Sequence, residues 1–315
     1  MSVNIVKKQS DGKLLIGGNF FGTYDSVSIN RICRLDETGS LDTTFNPGAG
    51  ANNTVRALAT QDDGKILIGG DFLDYSGSAE YHLVRVNESG DIDATFNTGD
   101  GFNGAVYSIV VQDDGKILVG GNFDYYSGSS SVAGIIRLNS NGTIDTSSFN
   151  EFMGPVYKVL IQPDNKIVCV GDMNDYGGTT VNRIARLNSD GTIDNTFNIQ
   201  NQFSDYITTA AIQDDGKIVV GGAFQAYVSA SVQYTAKRIL RLDSSGSWDR
   251  TFNSGLGFDD QVQDIKIQNK EILVAGGFTK YNEAYSLNFV KLTNSGSLFE
   301  TFEDRFTPGG YAVPA

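Results

Sequence analysis

One motif, Gln-x-Asp-Gly-Lys followed by an apolar run and Gly-Gly-x-Phe, returns along the chain and restricts its fold more than any other feature. Its lysine falls at Lys13, Lys65, Lys116, Lys166, Lys217 and Lys270, in steps of 52, 51, 50, 51 and 53 residues. Two further anchors keep the same period. One is the phenylalanine of a Leu/Ile-Asp-x-Thr-Phe-Asn segment, at Phe45, Phe96, Phe149, Phe197, Phe252 and Phe302. The other is an apolar residue six positions before the glutamine, at Val3, Val55, Val106, Val156, Ile207 and Val262. Three anchors in register over six copies mark a single supersecondary unit used six times. The copies run about 1–52, 53–103, 104–154, 155–204, 205–259 and 260–305, with a C-terminal tail at 306–315.

The second copy shows what the unit is. Val55–Gln61 reads as strand A, and Asp62-Asp63-Gly64 as a hairpin turn, because aspartate and glycine tolerate positive φ. Lys65–Phe72 reads as strand B, His82–Asn87 as strand C and Ile92–Phe96 as strand D, with a turn at Glu88-Ser89-Gly90. No helical apolar period persists in the chain. Four antiparallel strands repeated six times predict an all-β, six-bladed β-propeller occupying 1–315 as one domain. The abundance of glycine (37) over proline (5) suits many short strands and tight turns.

Inside the repeat, paired glycines end strand B (Gly17-Gly18, Gly69-Gly70, Gly120-Gly121, Gly221-Gly222, Gly276-Gly277) and allow close backbone approach. The fourth copy reads Val170-Gly171-Asp172-Met173 instead. Strand C carries Arg34, Arg85, Arg137, Arg186 and Arg241, and strand D opens on Asp42, Asp93, Asp145, Asp194 and Asp249. In the sixth copy both change together, to Lys291 and Phe299, which predicts that arginine and aspartate pair within each blade.

The blade topology sorts the loops onto two faces. The A–B and C–D turns are short and nearly uniform. The B–C and D–A loops vary, and the D–A loop shortens from nine residues to six at the third junction. Variable loops on a rigid scaffold are where recognition usually sits, so the B–C/D–A face is the expected binding face. A tyrosine recurs there at Tyr24, Tyr75, Tyr126, Tyr176, Tyr227 and Tyr281. Tyrosines in such a ring suit stacking on sugars or anchoring a protein. A residue present in every blade is equally explained by packing. Aromatics that symmetry does not demand are the sharper candidates, so Tyr125, Phe203, Tyr206 and Phe258 join Tyr126 and Tyr234 as ligand-binding candidates.

The formal charge of −13 argues against nucleic acid and anionic membrane as partners. No apolar run is long enough to span a membrane, and the opening MSVNIVKK does not read as a signal peptide. Cys33 and Cys169 lie in repeats one and four and read as small buried apolar residues, not as a disulfide.

No catalytic constellation is visible. The one histidine, His82, has no second histidine or nearby cysteine to share a metal or a general-base role. The glycine-rich stretches are strand glycines and not phosphate loops. Aspartates such as Asp63, Asp114 and Asp215 are explained by turn chemistry, and the Asp62-Asp63 and Asp113-Asp114 doublets lack the EF-hand spacing. The sialidase Asp-box pattern is missing, since Trp248 merely replaces a Leu or Ile of the other copies. The expectation is therefore no enzyme, no metal and no cofactor.

The run Gln-x-Asp-Gly-Lys-Ile-Leu-Val-Gly-Gly-x-Phe, followed by Arg-Leu-Asn-x-x-Gly-x-Ile-Asp-x-x-Phe-Asn, resembles the delta-60 repeat family of propeller-like proteins over about residues 3–302. That resemblance implies a setting in a phage tail or virion, or on a bacterial surface, and transfers no catalytic residue. The function expected from it is a non-catalytic binding or structural module of a phage appendage. Its partner on the B–C/D–A face would be a host-surface glycan or a neighbouring virion protein. A bacterial surface adhesion or scaffold module is the first alternative, and a carbohydrate-active enzyme using loop-face carboxylates the second. The tail, through Tyr311 and Val313, is expected to pair at the seam between blades six and one.

Overall fold

The computed structural model describes residues 2–129, 132–146, 149–197, 202–229 and 232–299. Phe302 and the tail with Tyr311 and Val313 lie outside them. The described residues contain strands, turns and bends and no helix. Among the described residues no helix is therefore long and apolar enough to cross a membrane. The chain divides into two units, 1–159 and 160–315, and the division falls inside strand A of the fourth repeat (Val156–Ile161).

In unit 1, strands A, B and C of the first three repeats form antiparallel sheets in sequence order. Repeat 1 uses Ser2–Lys8, Leu14–Tyr24 and Val27–Leu35. Repeat 2 uses Val55–Thr60, Ile66–Gly70 and Leu83–Val86. Repeat 3 uses Val106–Val111, Ile117–Gly121 and Ile135–Leu138. In unit 2, repeat 5 uses Ile207–Ile212, Ile218–Gly222 and Ile239–Leu242, and repeat 6 uses Val262–Gln268, Glu271–Gly276 and Phe289–Leu292. Repeat 4 contributes the pair Ile167–Gly171 and Ile184–Leu187 to unit 2.

The predicted strand D is present in each repeat as a single antiparallel bridge, such as Val86 with Ile92. The aspartate that follows ends the ladder. Asp93 Oδ1 accepts from the Thr95 amide (3.0 Å) and hydroxyl (2.7 Å), and the Phe96 amide donates to the Asp93 carbonyl. A side chain that captures the backbone two residues on makes a turn of what would have been a strand.

Strand B is buried along its whole length in repeats 2 to 5. In repeats 1, 2, 3 and 5 the first B glycine receives the next repeat's strand A. A Cβ on Gly69 would lie 2.5 Å from Val106 Cγ1, and one on Gly221 2.5 Å from Val262 Cγ1. The second glycine answers a different need. Strand A bulges at its second residue, and the bulge brings its backbone onto strand B, so a Cβ on Gly70 would sit 2.1 Å from the Thr54 carbonyl oxygen. The sixth repeat corrects the sequence reading by one position. Gly276, not Gly277, takes the bulge position opposite Val262, and Ala275 takes the place of the first glycine.

The expected arginine–aspartate pair is present in all five repeats that carry it. Nε to carboxylate distances are 2.7 Å (Arg34–Asp42), 2.9 Å (Arg85–Asp93), 2.6 Å (Arg137–Asp145), 2.7 Å (Arg186–Asp194) and 2.8 Å (Arg241–Asp249). The motif lysine joins the same carboxylate, as Lys65 does with Asp93 at 3.2 Å. Each guanidinium also lies over the repeat phenylalanine, Arg85 over Phe96 at 4.5 Å. A third contact links consecutive repeats: Arg85 Nη1 donates to the Ser140 carbonyl, and Arg241 Nη1 to the Asn294 carbonyl, each at 2.5 Å. Repeats 1, 2, 4 and 5 are thus each fastened to the C–D turn of the next by a buried charge. In the sixth repeat Lys291 stands over Phe299 at 4.0 Å and pairs with Glu271 at 2.6 Å.

Candidate functional site

The B–C and D–A loops meet, as the topology required. Ser76 donates to the Gly50 carbonyl, Ser127 to Gly101 and Asn282 to Gly257, each through its backbone amide. The recurrent tyrosine belongs to this junction as a packing residue. Tyr75, Tyr126, Tyr176, Tyr227 and Tyr281 are buried. The Tyr126 hydroxyl donates to the Gly142 carbonyl at 2.6 Å, and Tyr176 and Tyr281 do the same to Gly191 and Gly296. Burial raises the Tyr126 phenol well above its ordinary range. Tyr24 keeps the same bond, to Gly39 at 2.7 Å, but stays 38% exposed. Tyr126→Phe is therefore expected to lower stability by about 1 kcal/mol. Tyr75→Phe is expected to be neutral, because the buried Tyr75 hydroxyl has no hydrogen-bond partner. Equal shifts of the two melting temperatures would contradict this.

The aromatics singled out in the sequence separate into two groups. Tyr126, Phe203 and Phe258 are core residues, a correction to their selection as ligand contacts. Phe203 packs on Phe224 and Tyr227, and Phe258 on Phe278 and Tyr281. The D–A loop seats an apolar side chain on the next repeat's tyrosine, as Phe102 sits on Tyr126 at 4.3 Å. Phe203 and Phe258 therefore follow the symmetry they were thought to escape. Tyr125, Tyr206 and Tyr234 remain half-buried and reachable. Tyr125 donates to Asp100 (3.3 Å) and Tyr206 to Gln261 (3.5 Å). Tyr234 packs against Trp248, with the Arg250 guanidinium over both rings at 5.1 and 5.0 Å.

His82 is buried, with Nδ1 3.0 Å from the Gly70 carbonyl, so that nitrogen carries the proton it donates. Burial lowers its pKa, an effect only partly offset by that hydrogen bond. Cys33 and Cys169 are buried free thiols, and burial pushes Cys33 up to about 11. Among the described residues no group of three or more His, Cys, Asp or Glu is placed to hold a metal ion.

A second aromatic row was not found from the sequence. The residue after the invariant apolar anchor of strand A is Asn4, Arg56, Tyr107, Tyr157, Thr208 or Gln263 in the six repeats. In unit 1 three of these touch. Arg56 grips Asp71 with two hydrogen bonds of 2.7 Å, its guanidinium lies 5.4 Å from the Tyr107 ring, and Tyr107 meets Tyr157 at 5.5 Å between centroids. All four are at least partly open to solvent, Arg56 at 41% of its side chain. Burial raises the Tyr107 phenol, and Arg56 offsets part of that rise. The Asp71 hydrogen bond raises the Arg56 guanidinium further, so the cation is secure. The available signal was variability at one register position beside an invariant one. In unit 2 the same strand ends bring Tyr206, Gln261 and Thr208 together, Gln261 Nε2 donating to Thr208 at 3.0 Å.

The repeat profile of a family described as a domain of unknown function (DUF5122) beta-propeller matches residues 9–45, 61–96, 112–147, 162–197, 213–252 and 268–302. The chain belongs to this family. No curated protein matches it. Among solved structures it is similar to the WD40 beta propeller domain of Doa1, with a TM-score of 0.57 and 15% identity over 91% of this chain and 76% of that one. It is also similar to a streptogramin B lyase (0.52, 16%, 93% and 80%) and to virginiamycin B lyase from Staphylococcus aureus (0.51, 13%, 91% and 83%). At these identities the likeness concerns the fold alone, and the fold class is the β-propeller that the repeats predict.

Proposed function

We propose that this chain is a non-catalytic binding and structural propeller that recognises a glycan through the row Arg56, Tyr107 and Tyr157. The observation that carries this reading is the row itself. The residue at this register position differs between repeats, yet three consecutive repeats fill it with planar groups, Arg56 on Tyr107 and Tyr107 on Tyr157. Tyrosine faces accept the apolar faces of sugar rings, and a flanking ion pair supplies hydrogen bonds to hydroxyls. The non-catalytic part is supported by His82, whose imidazole is occupied in a structural bond to Gly70. The resemblance to delta-60 repeats supports a setting in a phage tail or virion, where the glycan would belong to a host surface. Tyr125, Tyr206 and Tyr234 are proposed as secondary contacts.

The test is a thermal-shift panel of bacterial polysaccharides and simple sugars, followed by calorimetry on any that shift. A ligand at 100 times its dissociation constant adds about 2.7 kcal/mol. Tyr107→Ala is expected to weaken binding by up to about tenfold, the size of one aromatic contact. No shift with any sugar, or binding that ignores Tyr107, would overturn the glycan reading and leave a protein partner.

A further inference from the structure

A left-handed backbone marks the residue that leads into strand C in repeats 2 to 6 and its counterpart at the irregularity within strand C of repeat 1: Arg31 (φ 60°), His82 (68°), Gly134 (75°), Arg183 (70°), Arg238 (70°) and Asn288 (61°). Five are not glycine, and a non-glycine residue there is uncommon. Four of the five have a nitrogen donor engaged beside this bend. His82 Nδ1 reaches the Gly70 carbonyl (3.0 Å), and Asn288 Nδ2 the Gly276 carbonyl (2.9 Å). Arg183 Nη1 pairs with Asp172 (3.2 Å), and Arg31 Nη1 donates to the Ala51 carbonyl (3.2 Å).

Repeat 3 has no such side chain, and a cleft of about 280 Å³ stands beside Gly134. Its lining includes Gly121, the counterpart of Gly70 and Gly276, and Asn122, the counterpart of Asp172. The repeat cannot supply its own donor. The shortened third D–A loop brings Phe152 and Gly154 close, so a Cβ on Gly134 would lie 2.9 Å from Phe152 Cβ and 3.1 Å from the Gly154 carbonyl oxygen. Asp124 adds an exposed carboxylate to the lining, positioned by Asn103, whose Nδ2 donates to it at 2.5 Å.

We propose that this cleft receives the guanidinium of an arginine presented by a partner protein. Elsewhere in the chain the residue at this bend brings a nitrogen donor, twice from arginine, to an acceptor that differs between repeats. The cleft's lining includes the Asp124 carboxylate and the side-chain amides of Asn103 and Asn122, and the whole chain carries −13, which draws a basic partner. The planar fork of a guanidinium satisfies divergent acceptors better than an ammonium does. The cleft's lining shares no residue with the Arg56–Tyr157 row.

The test titrates the full chain with N-acetyl-arginine amide and with N-acetyl-glutamine amide, followed by calorimetry and backbone-amide NMR. The arginine compound is expected to bind and to perturb the amides of Asn122, Gly134 and Gly154, while the neutral one does not. Asp124→Asn should weaken binding about fivefold, as for an exposed ion pair, with an unchanged melting temperature as the control for folding. Equal response to the two compounds, arginine shifts spread elsewhere, or no binding at all would each overturn the proposal.

Discussion

Arg85→Ala is expected to destabilise unit 1 by about 3–5 kcal/mol, the range for removing one partner of a buried ion pair. Arg85 is 5% exposed and Asp93 7%. The arginine serves Asp93, the Gln61 amide oxygen, the Ser140 carbonyl and the Thr95 hydroxyl, and it covers the Phe96 ring. Its loss strands a carboxylate and cuts the fastening between repeats 2 and 3. Arg85→Lys is expected to recover only part, because one ammonium cannot reach four acceptors in a plane. Asp93→Ala should destabilise to a similar degree, and the double variant by clearly less than the sum. The measurement is the urea midpoint at unchanged m-value. Additive losses would mean that the two side chains act independently. Arg250→Ala, on an exposed arginine, serves as the comparison and should stay within about 1 kcal/mol.

The second large effect is acid destabilisation. Asp42, Asp93, Asp194 and Asp249 share one environment. Burial disfavours their ionised form, but hydrogen bonds from the threonine two residues on, with the motif lysine and the strand C arginine, outweigh it. Their carboxyls are held well below the ordinary range. A carboxylate whose folded pKa is depressed contributes stability above its unfolded value, about 3.9 for aspartate, and loses it as pH falls toward the folded value. Stability is therefore expected to hold down to about pH 4 and then to fall steeply, with several protons taken up on unfolding. Protonating the many exposed carboxylates relieves a net negative charge, so it does not account for a loss that begins at that point. Asp93→Asn should start lower and fall less steeply. A melting temperature unchanged between pH 5 and pH 2.5 would refute the assignment.

Most of the fold was legible because it is periodic. Val55, Gly69, Lys65 and Phe96 recur at the same place in nearly every repeat, and a residue demanded six times is demanded by the scaffold. The arginine–aspartate pair was legible for a related reason, since both members vanish together at Lys291 and Phe299. The fourth strand was less so, because Ile92 keeps a strand-like pattern while Asp93 bends the backbone through its own carboxylate. The candidate site was read only in part. Phe203 and Phe258 looked unique, but each stands six residues after its repeat phenylalanine, as Phe102 does, and shares its seat on the following tyrosine.

The sequence by itself determined the repeat, its three ladder strands, the turn positions and the pairing of charges within a blade, because each depends on residues close together or matched in register. The tertiary structure decided which side chains of different repeats share a surface. Arg56, Tyr107 and Tyr157 are about fifty residues apart and become neighbours only when successive first strands stack. The cleft at Gly134 likewise exists only where a missing side chain and a shortened loop coincide in space. Periodicity reports what every repeat needs, whereas recognition rests on the few positions where the repeats differ, and only packing shows which of those positions meet.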